Sequence, residues 1–265
     1  INKPVYIDLK GKQLRITEWA NLPEGPIILN HDVVVELPAK VYFRGDDCCE
    51  LREVVDGRNL YVDPLPKAPV GRGQAVNIIA KKLLIKGGLL ELDHEYIRAA
   101  LAEGIKRFML SFVENWDDVQ ELEEAIVRHG RGLKSLREYE IVLKIESCPG
   151  LEFVREIVSS TTRKGATYRL MAARDDLMIH VGVCNMPEAL TLIAKTDRNA
   201  ICASRLFMGL ENGGVSMADI SDVEYMRMLG YQHFMLSDGI SRDHFEGAVA
   251  FWNQYQRNTS LIQTG

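Results

Sequence analysis

From about residue 93 onward the chain alternates short apolar runs with helical stretches, and two of those runs lead into acid. Ile141-Val142-Leu143-Lys144-Ile145 closes on Glu146, and Tyr168-Arg169-Leu170-Met171-Ala172-Ala173 leads through Arg174-Asp175 to Asp176. A short apolar run followed by a helix is the βα pattern of a parallel sheet. In a closed (β/α)8 barrel the C-terminal ends of neighbouring strands converge on one mouth. Two carboxylates there form a hard-oxygen site suited to Mg2+ or Mn2+. Lys144 and Arg174 set a cation beside each, as phosphoryl or enolate chemistry requires.

Helical spacing of Tyr96, Ile97, Ala100 and Leu101 predicts a helix from Asp93 to Glu103, stopped by Gly104. A strand follows from Arg107 to Val113. Asn115 is placed to cap a helix with Trp116, Val119, Leu122, Ile126 and Val127 on one face. Further helices are expected from about Gly150 to Ser159, from near Pro187, from Ala218 to Leu229 behind Ser216, and from Asp243 to Tyr255. Strands are expected to reach Ala173, at Ala200 to Ala203 and at Gln232 to Ser237. Pro4 to Leu9 adds one strand before all of these. Alternation on a strand puts Lys144 and Glu146 on one face. Gly71-Arg72-Gly73 lacks the third glycine of a dinucleotide-binding turn and opens no helix.

Residues from about 17 to 72 follow a different rhythm. Ile27-Ile28-Leu29, Val33-Val34-Val35, Lys40-Val41-Tyr42-Phe43 and Leu60-Tyr61-Val62 are short β-like runs separated by Pro, Gly and Asp turns. They predict a small all-β lid inserted in the barrel, which would then comprise residues 1–16 and 73–265. Asp46-Asp47 reads as a turn, and Glu121, Glu123 and Glu124 as a solvated helix face.

Composition excludes several classes. With 46% hydrophobic and 26% charged residues, a 265-residue chain builds a sizeable core. A net charge of −5 with both signs interspersed gives no nucleic-acid-binding surface. No apolar run approaches the ~20 residues of a membrane span. The five cysteines show neither CxxC nor zinc spacing, and read as reduced thiols of a cytoplasmic protein. The six histidines show no metal or triad spacing and read as solvated or core residues. The chain opens on Ile1 with no signal-like segment after it.

Taken in order, the motifs resemble pyruvate kinase. Asp8-Leu9-Lys10-Gly11-Lys12-Gln13-Leu14-Arg15 is similar to that family's DTKGPEIR segment, and Lys40 to Phe43 to its lid. Ala75-Val76-Asn77-Ile78 is similar to GVNLP, where the chain returns to the barrel. Ser111-Phe112-Val113 with Trp116-Asp117-Asp118-Val119 resembles SFVRSAEDV, Lys144-Ile145-Glu146 matches KIE, and Ala173-Arg174-Asp175-Asp176-Leu177 resembles ARGDL. Cys202-Ala203-Ser204-Arg205 resembles CATQ, and Met235-Leu236-Ser237 resembles the start of MLSGE.

The resemblance implies a (β/α)8 barrel with an inserted β lid and the reaction of phosphoenolpyruvate with ADP to give pyruvate and ATP through a metal-bound enolate. It implies that Glu146 and Asp176 bind Mg2+ or Mn2+, and that Asp8 belongs to a K+ site. Lys144 is implied to neutralise the transferring phosphoryl group, and Ser204 to stand by the proton-transfer step. Arg15 is implied to contact phosphate, and Asp175 and Asp176 the substrate. Arg174 is either a substrate contact or an ion-pair partner of Asp176 or Glu146. A homo-oligomer in the cytoplasm, bound to neither nucleic acid nor membrane, completes the expectation.

Several positions depart from the pattern. Leu9 stands for threonine, and Lys12-Gln13 for Pro-Glu. Asp175 stands for a glycine whose N–H holds the substrate carboxylate, and Arg205 for glutamine. The family's first two barrel strands and its C-terminal domain have no counterpart in the sequence, so the missing strands are expected upstream or from another chain. The departures leave two alternatives: a metal-dependent lyase of pyruvate or oxaloacetate type, and a non-catalytic barrel binding a small anion.

Overall fold

The computed structural model describes residues 4–43, 47–130, 132–133, 135–159 and 165–262. Its framework is a six-stranded parallel sheet. The strands are β1 (Ile7–Leu9), β9 (Arg107–Leu110), β10 (Glu140–Ile145), β11 (Thr167–Ala173), β12 (Ile201–Ala203) and β13 (His233–Met235), in that spatial order. The helices between them are α1 (Glu91–Ala102), α2 (Trp116–His129), α3 (Cys148–Ser159), α4 (Arg174–Val181), α5 (Met186–Thr196) and α6 (Met217–Leu229), followed by α7 (Asp238–Asp243) and α8 (Phe245–Ile262). The sheet is an open half-barrel: among the described residues β1 and β13 do not pair with each other.

Alternation sorts each strand's side chains. Ile141, Leu143 and Ile145 join Leu9, Phe108, Ala172 and Cys202 in the outer core, against apolar faces of α1 to α6. Val142, Met171, Ile201 and Ala203 face the other way and pack with Tyr6, Met109 and Met235. Lys144 and Glu146, two and four residues beyond Val142, continue this inner face.

Caps set where the helices begin. Asn115 accepts from the N–H groups of Asp117 and Asp118 at 2.9 and 3.1 Å. Ser216 caps α6 in a reciprocal box with Asp219. Two helical stretches divide differently from the sequence pattern. The segment after β11 forms α4 at once, is broken at Gly182 (φ 77°), and resumes as α5 with Pro187 in its first turn. Asp176 therefore lies in the first turn of a helix rather than on the strand. The last expected helix is present as α8, which runs on past Tyr255, and the short α7 precedes it without a counterpart in the sequence pattern.

Between β1 and α1 lies an antiparallel five-stranded sheet. Its strands, in spatial order, are β2 (Ile27–Ile28), β6 (Asn59–Asp63), β5 (Asp47–Val55), β4 (Ala39–Phe43) and β7 (Val76–Ala80). A two-stranded ribbon of β3 (Asp32–Val35) and β8 (Leu83–Lys86) lies beside it. The β region thus runs past residue 72, because β7 pairs with β4 along Val76 to Ala80 and β8 with β3. It has its own core, in which Leu14, Ile16, Val41, Phe43, Leu60, Val76 and Ile78 are buried together. Asp47 opens β5 and accepts from the Lys67 N–H at 2.9 Å; Asp46 lies outside the described residues. All five cysteines are free. No single helix among the described residues is long and apolar enough to cross a membrane.

Candidate active site

The carboxyl end of the parallel sheet holds a cavity of about 640 Å3. Seven expected site residues line it together: Asp8, Arg15, Lys144, Glu146, Asp175, Asp176 and Ser204. Tyr6, Met109, Ala173, Ala203 and Met235 add apolar lining.

Lys144 is the centre of the charge arrangement. Its ammonium donates to Ser111 Oγ at 2.8 Å and to Asp8 Oδ1 at 3.1 Å, and stands 3.4 Å from Glu146 Oε1. Burial opposes a charged ammonium here, but the Glu146 and Asp8 carboxylates outweigh it and raise the Lys144 pKa. Lys144 is therefore a fixed positive charge at neutral pH.

Glu146 is only 2% exposed. The Phe112 N–H donates to its Oε2 at 2.6 Å, from a backbone turned left-handed at φ 53°. A non-glycine residue held there marks a position fixed by its surroundings. Burial pushes the Glu146 carboxyl up to about 7, and the nearby Asp176 charge adds to the effect against the pull of Lys144. Asp176 accepts from Asn77 Nδ2 at 2.8 Å through Oδ1. Each acid thus accepts one hydrogen bond through one oxygen, while Glu146 Oε1 faces the Lys144 ammonium at 3.4 Å and Asp176 Oδ2 has no hydrogen-bond donor among the described residues. Two carboxylates with hard oxygens lining one cavity suit Mg2+ or Mn2+, which complete their shells with water and substrate oxygens. No group of three or more His, Cys, Asp or Glu side chains among the described residues is arranged to hold a metal alone.

Asp8, which the resemblance assigns to a K+ site, is held by two lysines. Its Oδ1 meets the Lys144 ammonium, and its Oδ2 meets Lys10 Nζ at 2.7 Å. Both lysines hold its pKa down against the effect of burial. Each Asp8 oxygen thus already meets one ammonium, and Leu9, where the family has threonine, contributes no hydroxyl. The preceding loop is shaped by buried Asp93, which accepts the Lys10 and Gly11 N–H groups at 2.8 and 3.3 Å.

Arg174 corrects the sequence reading twice. It neither lines the cavity nor pairs with Asp176 or Glu146. Its buried guanidinium donates through Nη1 to both Asp222 oxygens, at 2.7 and 3.0 Å, and through Nε to the Ser204 carbonyl at 3.1 Å. It ties the start of α4 to α6 and to the end of β12. Arg15 donates twice to Gln13 Oε1, at 3.0 and 2.8 Å, and also to the Gly73 carbonyl. Ser204 lines the cavity from a left-handed backbone at φ 68°, and its N–H donates to Met235 O at 2.9 Å.

Two positions that sequence reading passed over support the acids. Asn77 is buried on β7, and His180 Nε2 lies 3.0 Å from Asn77 Oδ1. With the Asn77 amide donating to Asp176, its oxygen must accept, so His180 carries its proton on Nε2. Burial pushes the His180 imidazole down to about 4, which keeps it neutral. The available signal was spacing: His180 follows Asp176 by four residues on one helix, and such residues share a face.

The fold and the cavity together define an α/β protein with a parallel half-barrel sheet and a lysine and two acids at the carboxyl ends of its strands. The chain belongs to the pyruvate kinase family. It matches the family model described as "Pyruvate kinase, barrel domain" over residues 27–246. It is 25% identical over 276 aligned residues to a pyruvate kinase of Naumovozyma castellii, covering 91% of this chain and 52% of that protein. It is 26% identical over 251 residues to a pyruvate kinase of Thermotoga maritima, covering 83% and 51%. The crystal structure of a pyruvate kinase from Cryptosporidium parvum superimposes with a TM-score of 0.66 at 18% identity, over 89% of this chain and 52% of that one. The chain spans about half the length of these relatives.

Proposed function

We propose that the intact protein is a pyruvate-kinase-like phosphotransferase, moving the phosphoryl group of phosphoenolpyruvate to ADP. The observation that carries this reading is the Lys144 ammonium, held by Ser111 and Asp8 on the same inner face as Glu146. Phosphoryl transfer asks little covalent chemistry of a protein; it asks for position and for charge where charge develops. Lys144 supplies a cation that cannot drift. Glu146 and Asp176 would hold the divalent ion, which when bound supplies further charge neutralisation. As the bond from phosphorus to the enol oxygen breaks and that to the ADP oxygen forms, negative charge on the transferring oxygens meets Lys144. The departing enolate then takes a proton at carbon from the Ser204 side, directly or through water. Arg15, fixed by Gln13, would contact phosphate.

We read the antiparallel β region, from about residue 17 to residue 86, as the lid. The complete protein would close the half-barrel with strands outside this chain.

The test is an assay of the intact protein with phosphoenolpyruvate, ADP and Mg2+. ATP formation is expected. Cleavage of a 2-oxo acid without phosphoryl transfer would replace the kinase reading with a lyase. Oxalate binding without either reaction would leave a small-anion-binding barrel.

A further inference from the structure

We infer that Arg205 is a specificity-determining residue of this cavity: its ion pair with Asp175 keeps that carboxylate's charge from acting on a bound carboxylate substrate. The inference rests on the proposed site and extends it to a residue outside the catalytic set. Asp175 lines the cavity, beside Asp176, Ala173 and Ser204. Its Oδ1 lies 2.9 Å from Arg205 Nε, and this is its one ion pair among the described residues. The mouth already carries Asp8, Glu146 and Asp176. Lys10 and Lys144 answer Asp8, and Lys144 also answers Glu146. An unanswered fourth carboxylate would repel an entering anion.

Position makes the compensation specific. Asp175 is the second residue of α4, and Ala173 before it gives that helix no side-chain cap. No side chain at the Ala173 cap position occupies the first N–H groups of α4. A carboxylate in the first turn is a natural competitor for such groups. Arg205 draws Asp175 towards itself instead. It does so because the chain leaves β12 through two consecutive left-handed residues, Ser204 at φ 68° and Arg205 at φ 54°. Residues with side chains rarely take that conformation, and two in succession give Arg205 a defined direction. Two departures from the family pattern, aspartate for glycine and arginine for glutamine, thus meet in one contact. Each explains the other: the aspartate is tolerated beside an anion site because the arginine answers it.

The experiment is a binding cycle on the intact protein, using oxalate with Mn2+ as a planar carboxylate probe and following its dissociation constant by calorimetry. Arg205→Gln should weaken oxalate binding about tenfold at low salt, the scale of one uncompensated charge near a bound anion in a hydrated site. The loss should shrink at high salt. Asp175→Gly combined with Arg205→Gln should restore binding to within about threefold of wild type, the coupling a double-mutant cycle isolates. In the transfer assay, Arg205→Gln should raise KM for phosphoenolpyruvate more than it lowers kcat. Equal oxalate affinity in wild type and Arg205→Gln would overturn the inference. So would a double variant as weak as the single one, or a wild type that binds no oxalate. Oxalate binding that follows the cycle in a protein without phosphoryl transfer would instead sink the kinase reading and leave the inference standing.

Discussion

Asn77 Nδ2 donates to Asp176 Oδ1 at 2.8 Å, so a residue of the antiparallel β region holds an acid of the parallel sheet's cavity. The two are 99 positions apart in sequence. Partners of this kind orient a metal-binding carboxylate, and their loss typically costs about 10–100-fold in affinity. Asn77→Ala should weaken Mn2+ binding by about tenfold, as read by paramagnetic titration. An unchanged affinity would mean that Asp176 does not bind the ion or needs no support.

Metal binding should depend on pH through Glu146. Its carboxyl, buried and pushed up to about 7, must lose a proton before it can bind a cation. Above that pH the affinity should be flat. Below it, protons compete, and affinity should fall about tenfold per pH unit. Glu146→Gln should remove both the affinity and the slope. A flat profile from pH 5 to 8 in the wild type would contradict the assignment.

His180 predicts an acid limb in stability. Its folded pKa of about 4 lies below its ordinary 6.5, so the unfolded chain binds the proton more readily. The stability contributed by keeping it neutral is complete above 6.5 and is lost as pH falls from 6.5 towards 4, by at most about 3 kcal/mol. His180→Gln keeps an N–H for Asn77 but cannot titrate. Urea unfolding should show the wild type losing stability relative to this variant across that window. Parallel curves would contradict the prediction.

Arg174 is expected to matter for folding more than for chemistry. Asp222→Asn leaves a buried guanidinium short of its countercharge, and breaking such a pair from one side costs about 3–5 kcal/mol. The exposed flank of Asp222 places the expected loss at the lower end. Thermal unfolding should shift down markedly while residual activity per folded molecule stays close to wild type. A shift of under a degree would show the pair to be incidental.

What could be read in advance followed from period and spacing. The apolar run up to Glu146 shows a strand, and alternation alone places Lys144 and Glu146 on one face, as the inner-face contacts of Val142 bear out. Asn115 and Ser216 announce their helices because the capping geometry is local. The break between α4 and α5 was less legible, since it depends on one left-handed glycine in a stretch of mixed propensity. The full extent of the β region is less legible, because β7 and β8 pair with β4 and β3, which lie far back in the chain. Arg174 was misjudged for the same reason: its partner Asp222 lies 48 residues on, and no local pattern links them. Long-range polar contacts leave no periodicity behind.

The central claim is that Lys144 acts on the transferring phosphoryl group rather than merely holding Asp8 and Glu146 in place. Lys144→Met in the intact protein separates these roles when ATP formation from phosphoenolpyruvate and Mn2+ affinity are measured side by side. Transfer is expected to fall by about 100-fold to 1,000-fold, as for other positioned charge stabilisers, with Mn2+ bound within a few fold of wild type. Turnover at the wild-type rate, or loss of Mn2+ binding in step with activity, would contradict it.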